Sequence, residues 1–253
     1  MPGDFKIVIP ARYESTRLPG KVLLPIAGKT MLQHVWERAA ESGAAEIVVA
    51  TDSDQVAEVA QGFGAVVCMT SVDCRSGTDR VAEVCERRGW DNQSPVVNVQ
   101  GDAPLMPPQS IKRVAQLLVE HPAAALATLC TPLQSAADYA DPNVVKVVFD
   151  ETGRALYFSR SPIPGAGHGR DLSDVTSHGY RHLGLYAYRP DALARLSAAE
   201  PCRLEQFERL EQLRALWLGM EIRIAVDESS HGPDVDTQED LEQVAALLED
   251  LVR

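Results

Sequence analysis

The sequence predicts an α/β fold, a mostly parallel sheet flanked by helices, in one body spanning residues 1–253. Three observations predict it. Short apolar runs alternate in chain order with segments of helical periodicity. Each helical segment is about ten residues long, which suits a right-handed crossover between parallel strands. The strands are bounded by Gly, Pro, Asp and Ser, the residues that turn a chain.

The elements follow in order. Phe5 to Ile9 is an apolar run with Lys6 as its one charge, the mark of a buried strand. Met31 to Ser42 places Met31, Leu32, Val35 and Ala39 at helical spacing, and Gly43 ends it. Glu46 to Thr51 is a second strand. Asp52 or Ser53 then caps a helix bearing Val56, Val59 and Ala60. Ala65 to Met69 is a third strand, Thr78 to Arg88 a helix, Pro95 to Gln100 a fourth strand and Ser110 to Glu120 its helix. The second half is less regular. Val144 to Phe149 and Arg154 to Ser159 pair around Glu151-Thr152-Gly153 as a small added β subdomain. Residues 162–179, rich in Gly, Pro, Ser and Asp, read as a mobile loop. His182 to Tyr188 and Ile222 to Val226 are strands, and Leu204 to Leu218 and Thr237 to Leu248 are helices.

Composition narrows the function. The chain has 24 basic against 36 acidic residues, a formal charge of -12, which argues against sequence-independent nucleic-acid binding but leaves room for a phosphate substrate at a local cluster of basic groups. No apolar run reaches the roughly 18 residues of a membrane helix. The five cysteines are odd in number and form no CxxC pair. With no secretory leader evident, a reducing, cytoplasmic setting is expected.

In a parallel sheet, ligands bind beyond the carboxyl ends of the strands. That rule selects Pro10 to Lys21, Thr70 to Arg80 and Gly101 to Pro104. The first segment, PARYESTRLPGK, holds Arg12, Arg17 and Lys21 among Ser15, Thr16, Pro19 and Gly20. Three cations beside free backbone N–H groups suit a triphosphate. Charge alone weighs equally for a solvated basic loop; the position at a strand mouth favours the ligand. Neither GxxxxGK[ST] nor GxGxxG is present. Asp102, in NVQGDAP, is either a turn aspartate or a metal-holding carboxylate. Asp236, in VDTQEDLE, is either a ligand or the N-cap of the last helix, and capping by Thr237 leaves its carboxylate for other work. Ser76 or Thr78 caps the helix that follows the SGTDR turn. No GxSxG, HExxH or paired Cys/His spacing points to another catalytic class.

IPARYESTRLPGK resembles the opening of the 3-deoxy-manno-octulosonate (Kdo) cytidylyltransferases, the CMP-Kdo synthetases. The likeness continues, in order, through VATD (49–52), SGTDR (76–80), NVQGDAP (98–104), NVVKVV (143–148), ALYFSR (155–160), RHLGLYAY (181–188), LEQLRALW (210–217) and VDTQEDLE (235–242). The resemblance implies a Rossmann-like sheet of the nucleotide-diphospho-sugar transferase type. It implies transfer of CMP from CTP to Kdo with release of pyrophosphate, in lipopolysaccharide biosynthesis. It gives nucleotide contacts to Pro10, Ala11, Arg12, Arg17, Lys21, Arg75, Ser76, Gln100 and Asp102. Arg12, Arg17, Lys21, Asp102 and Asp236 become the catalytic set, with Mg²⁺ on Asp102 and Asp236. The 3-deoxy sugar acid falls to Gln100, Arg160, His182, Tyr186, Glu211 and Gln212. A homodimer is a further implication.

Read without the resemblance, three of these residues have a structural alternative to a site role: His182 as a core histidine, Tyr186 as a core phenol with its hydroxyl paired and Glu211 as a solvated helix charge. The chain also departs from the family pattern. Ala103 stands where an acidic residue is usual, Gln238 and Val22 where prolines are usual, and residues 165–179 lack a usual tryptophan. Ala103 leaves open the same chemistry on another acidic sugar or phosphonate, such as 8-amino-Kdo. A non-catalytic nucleotide-binding relative is the alternative of a different class.

Overall fold

A computed structural model describes residues 4–14, 18–165, 167–168, 178–229 and 231–252. Among these residues the strands are β1 (Lys6–Pro10), β2 (Pro25–Ile26), β3 (Lys29–Thr30), β4 (Glu46–Thr51), β5 (Val66–Met69), β6 (Val96–Asn98), β7 (Leu126–Pro132), β8 (Lys146–Phe149), β9 (Ala155–Ser159), β10 (Tyr180–Tyr188) and β11 (Ile222–Val226). The helices are α1 (Met31–Glu41), α2 (Asp54–Gly62), α3 (Gly77–Arg88), α4 (Pro108–Glu120), α5 (Ala136–Ala140), α6 (Pro190–Ala198), α7 (Arg203–Glu208), α8 (Gln212–Trp217) and α9 (Gln238–Val252).

The sheet runs β11-β7-β10-β6-β1-β4-β5. The pairs β1–β4, β1–β6, β4–β5 and β11–β7 are parallel. β10 is the reversed strand, antiparallel to β6, β7 and β8. The β8–β9 hairpin joins the sheet through the start of β10. The alternation of side chains along buried strands divides the core between two faces. Ile7, Ile9, Val97 and Leu129 pack under α1 and α4. Val8, Val48, Val96 and Leu126 pack under α3, α6 and α8. A satellite core of Ile26, Met31, Val235, Val244 and Leu248 fastens α9 to the β2–β3 hairpin.

Local chemistry sets the helix ends. Thr30 caps α1 by accepting from Gln33 N, Ser53 caps α2 through Val56 N, and Ser76 caps α3 through Asp79 N. Gly89 closes α3 in the left-handed conformation. The single helix expected over Leu204 to Leu218 is two helices, α7 and α8, separated at Arg209, whose φ is +53°. Sequence reading passed over β7, α5, α6 and the small β2–β3 hairpin. The mobile loop expected at 162–179 falls largely on 166 and 169–177, outside the described residues.

Candidate active site

The carboxyl ends of β1 and β6 open into a cleft of about 710 Å³ lined by Pro10, Arg12, Lys21, Arg80, Gln100, Asp102 and Asp236, among others. Gly101 lets the β6 loop close on β1: a Cβ there would lie 2.9 Å from Pro10 O. Lys21 is the hub. Its Nζ donates to Asp102 Oδ2 at 2.6 Å, Asp236 Oδ1 at 3.0 Å and Val235 O at 3.1 Å. Burial disfavours its charge, but the attraction and hydrogen bonds of Asp102 and Asp236 outweigh that and raise its pKa. The ammonium therefore stays protonated.

Asp236 reaches this position because it does not cap α9. Thr237 Oγ1 accepts from Asp240 N, and Asp240 Oδ2 accepts from the N–H groups of Asp236 and Thr237. That reciprocal cap separates the structural and the ionic roles along the chain. Asp234 joins the same cluster, unannounced by any motif. Crowding out of water, then repulsion from Asp102 and Asp236, pushes its carboxyl up to about 7 against the pulls of Arg181 and Lys21, although the residue keeps an exposed outer surface.

A second cavity of about 230 Å³ adjoins the cleft, and the two share Gly77 and Gln100. Ser76, Asn98, Gly184, Tyr186, Tyr188, Glu211 and Gln212 also line it. The Tyr186 hydroxyl is buried with no hydrogen-bond partner. Thr128 stands near it, but the Thr128 hydroxyl donates to Leu185 O at 2.8 Å. Burial, then the neighbouring Tyr188 and Glu211, raises the Tyr186 pKa well above the usual phenol value, so the group is a neutral donor. An orphaned donor beside a carboxylate and an amide suits a hydroxylated, polar ligand.

Of the sequence-predicted residues, the cleft gathers Pro10, Arg12, Lys21, Gln100, Asp102 and Asp236. The smaller cavity gathers Ser76, Gln100, Tyr186, Glu211 and Gln212. Ala11 is wholly buried below the cleft. Arg75 lies on the far side of its turn, its backbone N–H and guanidinium directed to Asp79. Arg17 lies outside the described residues. His182 lines neither cavity. Its ring packs at 5.0 Å against Phe158 and 5.2 Å against Tyr186, where burial, then Arg181, lowers its pKa to about 3 and keeps it neutral. Arg160 also lies outside both cavities, donating to Glu208 O at 2.8 Å and Pro142 O at 2.9 Å.

Arg80 is the cleft residue that sequence reasoning missed, although it ends the SGTDR motif. It is fully buried, with Nη2 2.7 Å from Asp52 Oδ2, Nη1 bonded to Thr70 Oγ1, and Nε without a partner. Its place at the end of a motif was the available signal. Asp52 and Thr70 close β4 and β5, so Arg80 ties two strand ends to the first turn of α3.

The residues fit a divalent cation. Two carboxylates from separate loops already share one cation, the Lys21 ammonium, and Mg²⁺ is held by one or two carboxylates together with phosphate oxygens. Among the described residues, no group of three or more His, Cys, Asp or Glu side chains forms an all-protein metal cage.

A cleft lined by cations and carboxylates at the mouth of a parallel sheet, joined to a polar pocket, suits a nucleotidyltransferase. The family model described as Cytidylyltransferase matches residues 6–222, and the chain is of that class. It is 52% identical over 247 residues to the 3-deoxy-manno-octulosonate cytidylyltransferase of Thioalkalivibrio sulfidiphilus, covering 97% of this chain and 99% of that protein. It is 47% identical over 246 residues to the same enzyme of Coxiella burnetii, covering 96% and 99%. A solved structure of CMP:2-keto-3-deoxy-manno-octonic acid synthetase complexed with CTP superposes with a TM-score of 0.90 at 44% identity, covering 98% and 99% of the two chains. The chain belongs to the 3-deoxy-manno-octulosonate cytidylyltransferase family. A cytidylyltransferase from Leptospira borgpetersenii, at 20% identity and a TM-score of 0.64, shares the fold.

Proposed function

We propose that the protein transfers CMP from CTP to the anomeric hydroxyl of Kdo and releases pyrophosphate, the activation step of lipopolysaccharide biosynthesis. The carrying observation is the adjoining pair of cavities that meet at Gly77 and Gln100. The larger takes the triphosphate and the smaller takes the sugar acid, which places the acceptor oxygen beside the α-phosphorus. The anomeric hydroxyl releases its proton to solvent as its oxygen bonds to that phosphorus, and the bond from the phosphorus to the pyrophosphate oxygen breaks in line. Arg12, Arg17 and Lys21 neutralise the triphosphate and the departing charge. Tyr186 donates to an acceptor oxygen, Glu211 accepts from a sugar hydroxyl, and Gln100 and Gln212 supply amide contacts. His182 holds the Tyr186 ring from behind as a neutral partner. Asp102 and Asp236 would hold Mg²⁺, which when bound would supply positive charge to offset that of the phosphates. A homodimer acting in the cytoplasm completes the reading.

A second reading keeps the chemistry and changes the acceptor. Its one support is in the sequence, Ala103 standing where an acidic residue is usual; in the structure Ala103 is 3% exposed and lines neither cavity. Pyrophosphate release with CTP, Mg²⁺ and a panel of sugar acids separates the two. Kdo gives the highest kcat/KM under the first reading and an amino-substituted acid under the second. Equal turnover with ATP or GTP in place of CTP overturns the cytidylyl assignment.

A further inference from the structure

Asp236 is carried by the segment that follows β11, whose described residues form neither strand nor helix before α9 begins. A carboxylate on such a segment needs external fixing to hold a geometry within the tolerance of catalysis. The segment touches the loop that carries Asp102 at three rungs. At the near end, Val235 N donates to Asp102 O at 2.9 Å. In the middle, Gly232 lies so close to Leu105 that a Cβ would come within 2.4 Å of it. At the far end, His231 Nε2 is 3.1 Å from Asp227 Oδ2 and 3.3 Å from Ser110 Oγ. Ser110 is buried in the first turn of α4, where the Asp102 loop ends. Asp227 is buried at the end of β11, anchored by its N–H to Cys130 O at 2.8 Å. It also accepts from Ser229 N at 2.9 Å. The far rung thus joins the ends of two segments whose other ends carry Asp102 and Asp236.

We infer that His231 is a positioning residue: bridging Asp227 and Ser110, it fixes the Asp236 segment against the Asp102 loop and so sets the distance between the two carboxylates. His231 touches no cleft atom; its action passes through Gly232 and Val235. Ser110 also hydrogen-bonds Asp227 directly, so His231, in the tautomer with its proton on Nε2, tightens a contact the two already make, and both lose a hydrogen bond when it leaves. The inference rests on the reading of Asp236 as a metal-holding carboxylate, and the test separates the two.

The test compares His231→Gln, His231→Ala and Asp236→Asn with the wild type in the full chain. The Gln amide reaches the position of Nε2 and restores the donor; Ala does not. Mn²⁺ binding to the enzyme–CTP complex is followed by electron paramagnetic resonance, and kcat, KM for CTP and the melting temperature are measured in parallel. The expected result for His231→Ala is Mn²⁺ affinity weakened about tenfold and kcat lowered about tenfold, with KM for CTP within about twofold. His231→Gln recovers most of both. A folded His231→Ala enzyme with wild-type Mn²⁺ affinity and kcat overturns the inference, whatever its melting temperature. If Ala unfolds the protein, the Gln variant decides: folded, yet as impaired in Mn²⁺ binding as Asp236→Asn, it overturns the donor role. Wild-type Mn²⁺ binding and turnover by Asp236→Asn overturns instead the reading of Asp236, and the inference with it.

Discussion

At Asp236 a single carboxylate separates a structural from a chemical role. Because Thr237 and Asp240 make the cap, Asp236→Asn leaves the start of α9 intact. Stability should change by no more than about 1 kcal/mol. Turnover should fall at least about a hundredfold, roughly 2.7 kcal/mol of transition-state stabilisation, with partial recovery at raised Mg²⁺ or with Mn²⁺. Steady-state kinetics beside a melting curve reads both, and wild-type turnover would remove the ligand role. Arg160 presents the opposite case. The ALYFSR motif sends it to the sugar, whereas the structure directs its guanidinium to the carbonyls of Glu208 and Pro142. Arg160→Ala should cost about 1.5–3 kcal/mol in urea unfolding, the worth of charge-assisted hydrogen bonds. An unchanged midpoint would show that these contacts carry no stability. Motifs name residues but not where a long side chain ends. That is why Lys21 and Asp102 were legible, while Asp234 and the turned-away Arg160 were not.

Elements were legible where the hydrophobic period was unbroken. The strands at Glu46–Thr51 and Ile222–Val226 stand at the bounds their apolar runs predict. β7 escaped notice because LATLCTP shows no alternation, being wholly inside for its first five residues, and has Thr128 and Thr131 as its only β-branched residues. Periodicity also ran α7 and α8 together. What divides them is tertiary: the Glu208 carbonyl is held by Arg160 Nε, so it is drawn toward the β8–β9 hairpin. The Gly101 turn tests how closely two elements must meet. Gly101→Ala would press a methyl against Pro10 O and part the ends of β1 and β6. The expected cost is about 1–3 kcal/mol of stability with a raised KM for CTP. Unaltered KM in a folded variant would show that the cleft tolerates the wider gap.

For the whole molecule, protonation gives a signed expectation. His182 is held neutral with its pKa lowered from 6.5 to about 3, so between those values the unfolded chain binds more protons and stability falls as pH falls. Asp227, Glu37 and Glu83 have lowered pKa values, each the net of hydrogen bonds and neighbouring charge prevailing over burial, and they lose their contributions at lower pH still. Asp234, raised from 3.8 to about 7, opposes them: its contribution is present below 3.8 and lost as pH rises through about 7. His182 and Asp234 offset each other between about pH 3.8 and 6.5, so the melting temperature should stay nearly level there and drop below, and in His182→Gln, which leaves Asp234 unopposed, it should rise as pH falls across that window. A variant whose melting temperature stays level there would show that His182 contributes nothing to the balance.

The reversed strand β10 carries a different kind of consequence. It pairs with the short β6 only through Tyr186 to Tyr188, so its first half runs on past the carboxyl end of β6, and its register against β7 slips between His182 and Tyr186. The wall of the smaller cavity, the proposed acceptor site, is therefore framework rather than loop. Enzymes that read substrates with surface loops drift readily to new ones, since a loop can change length and sequence at little cost to the fold. Here a new acceptor would demand changes in a strand hydrogen-bonded on both sides. Substrate choice in this lineage should thus be inherited conservatively, and variation in it should enter through the helical side of the pocket, at Glu211 and Gln212.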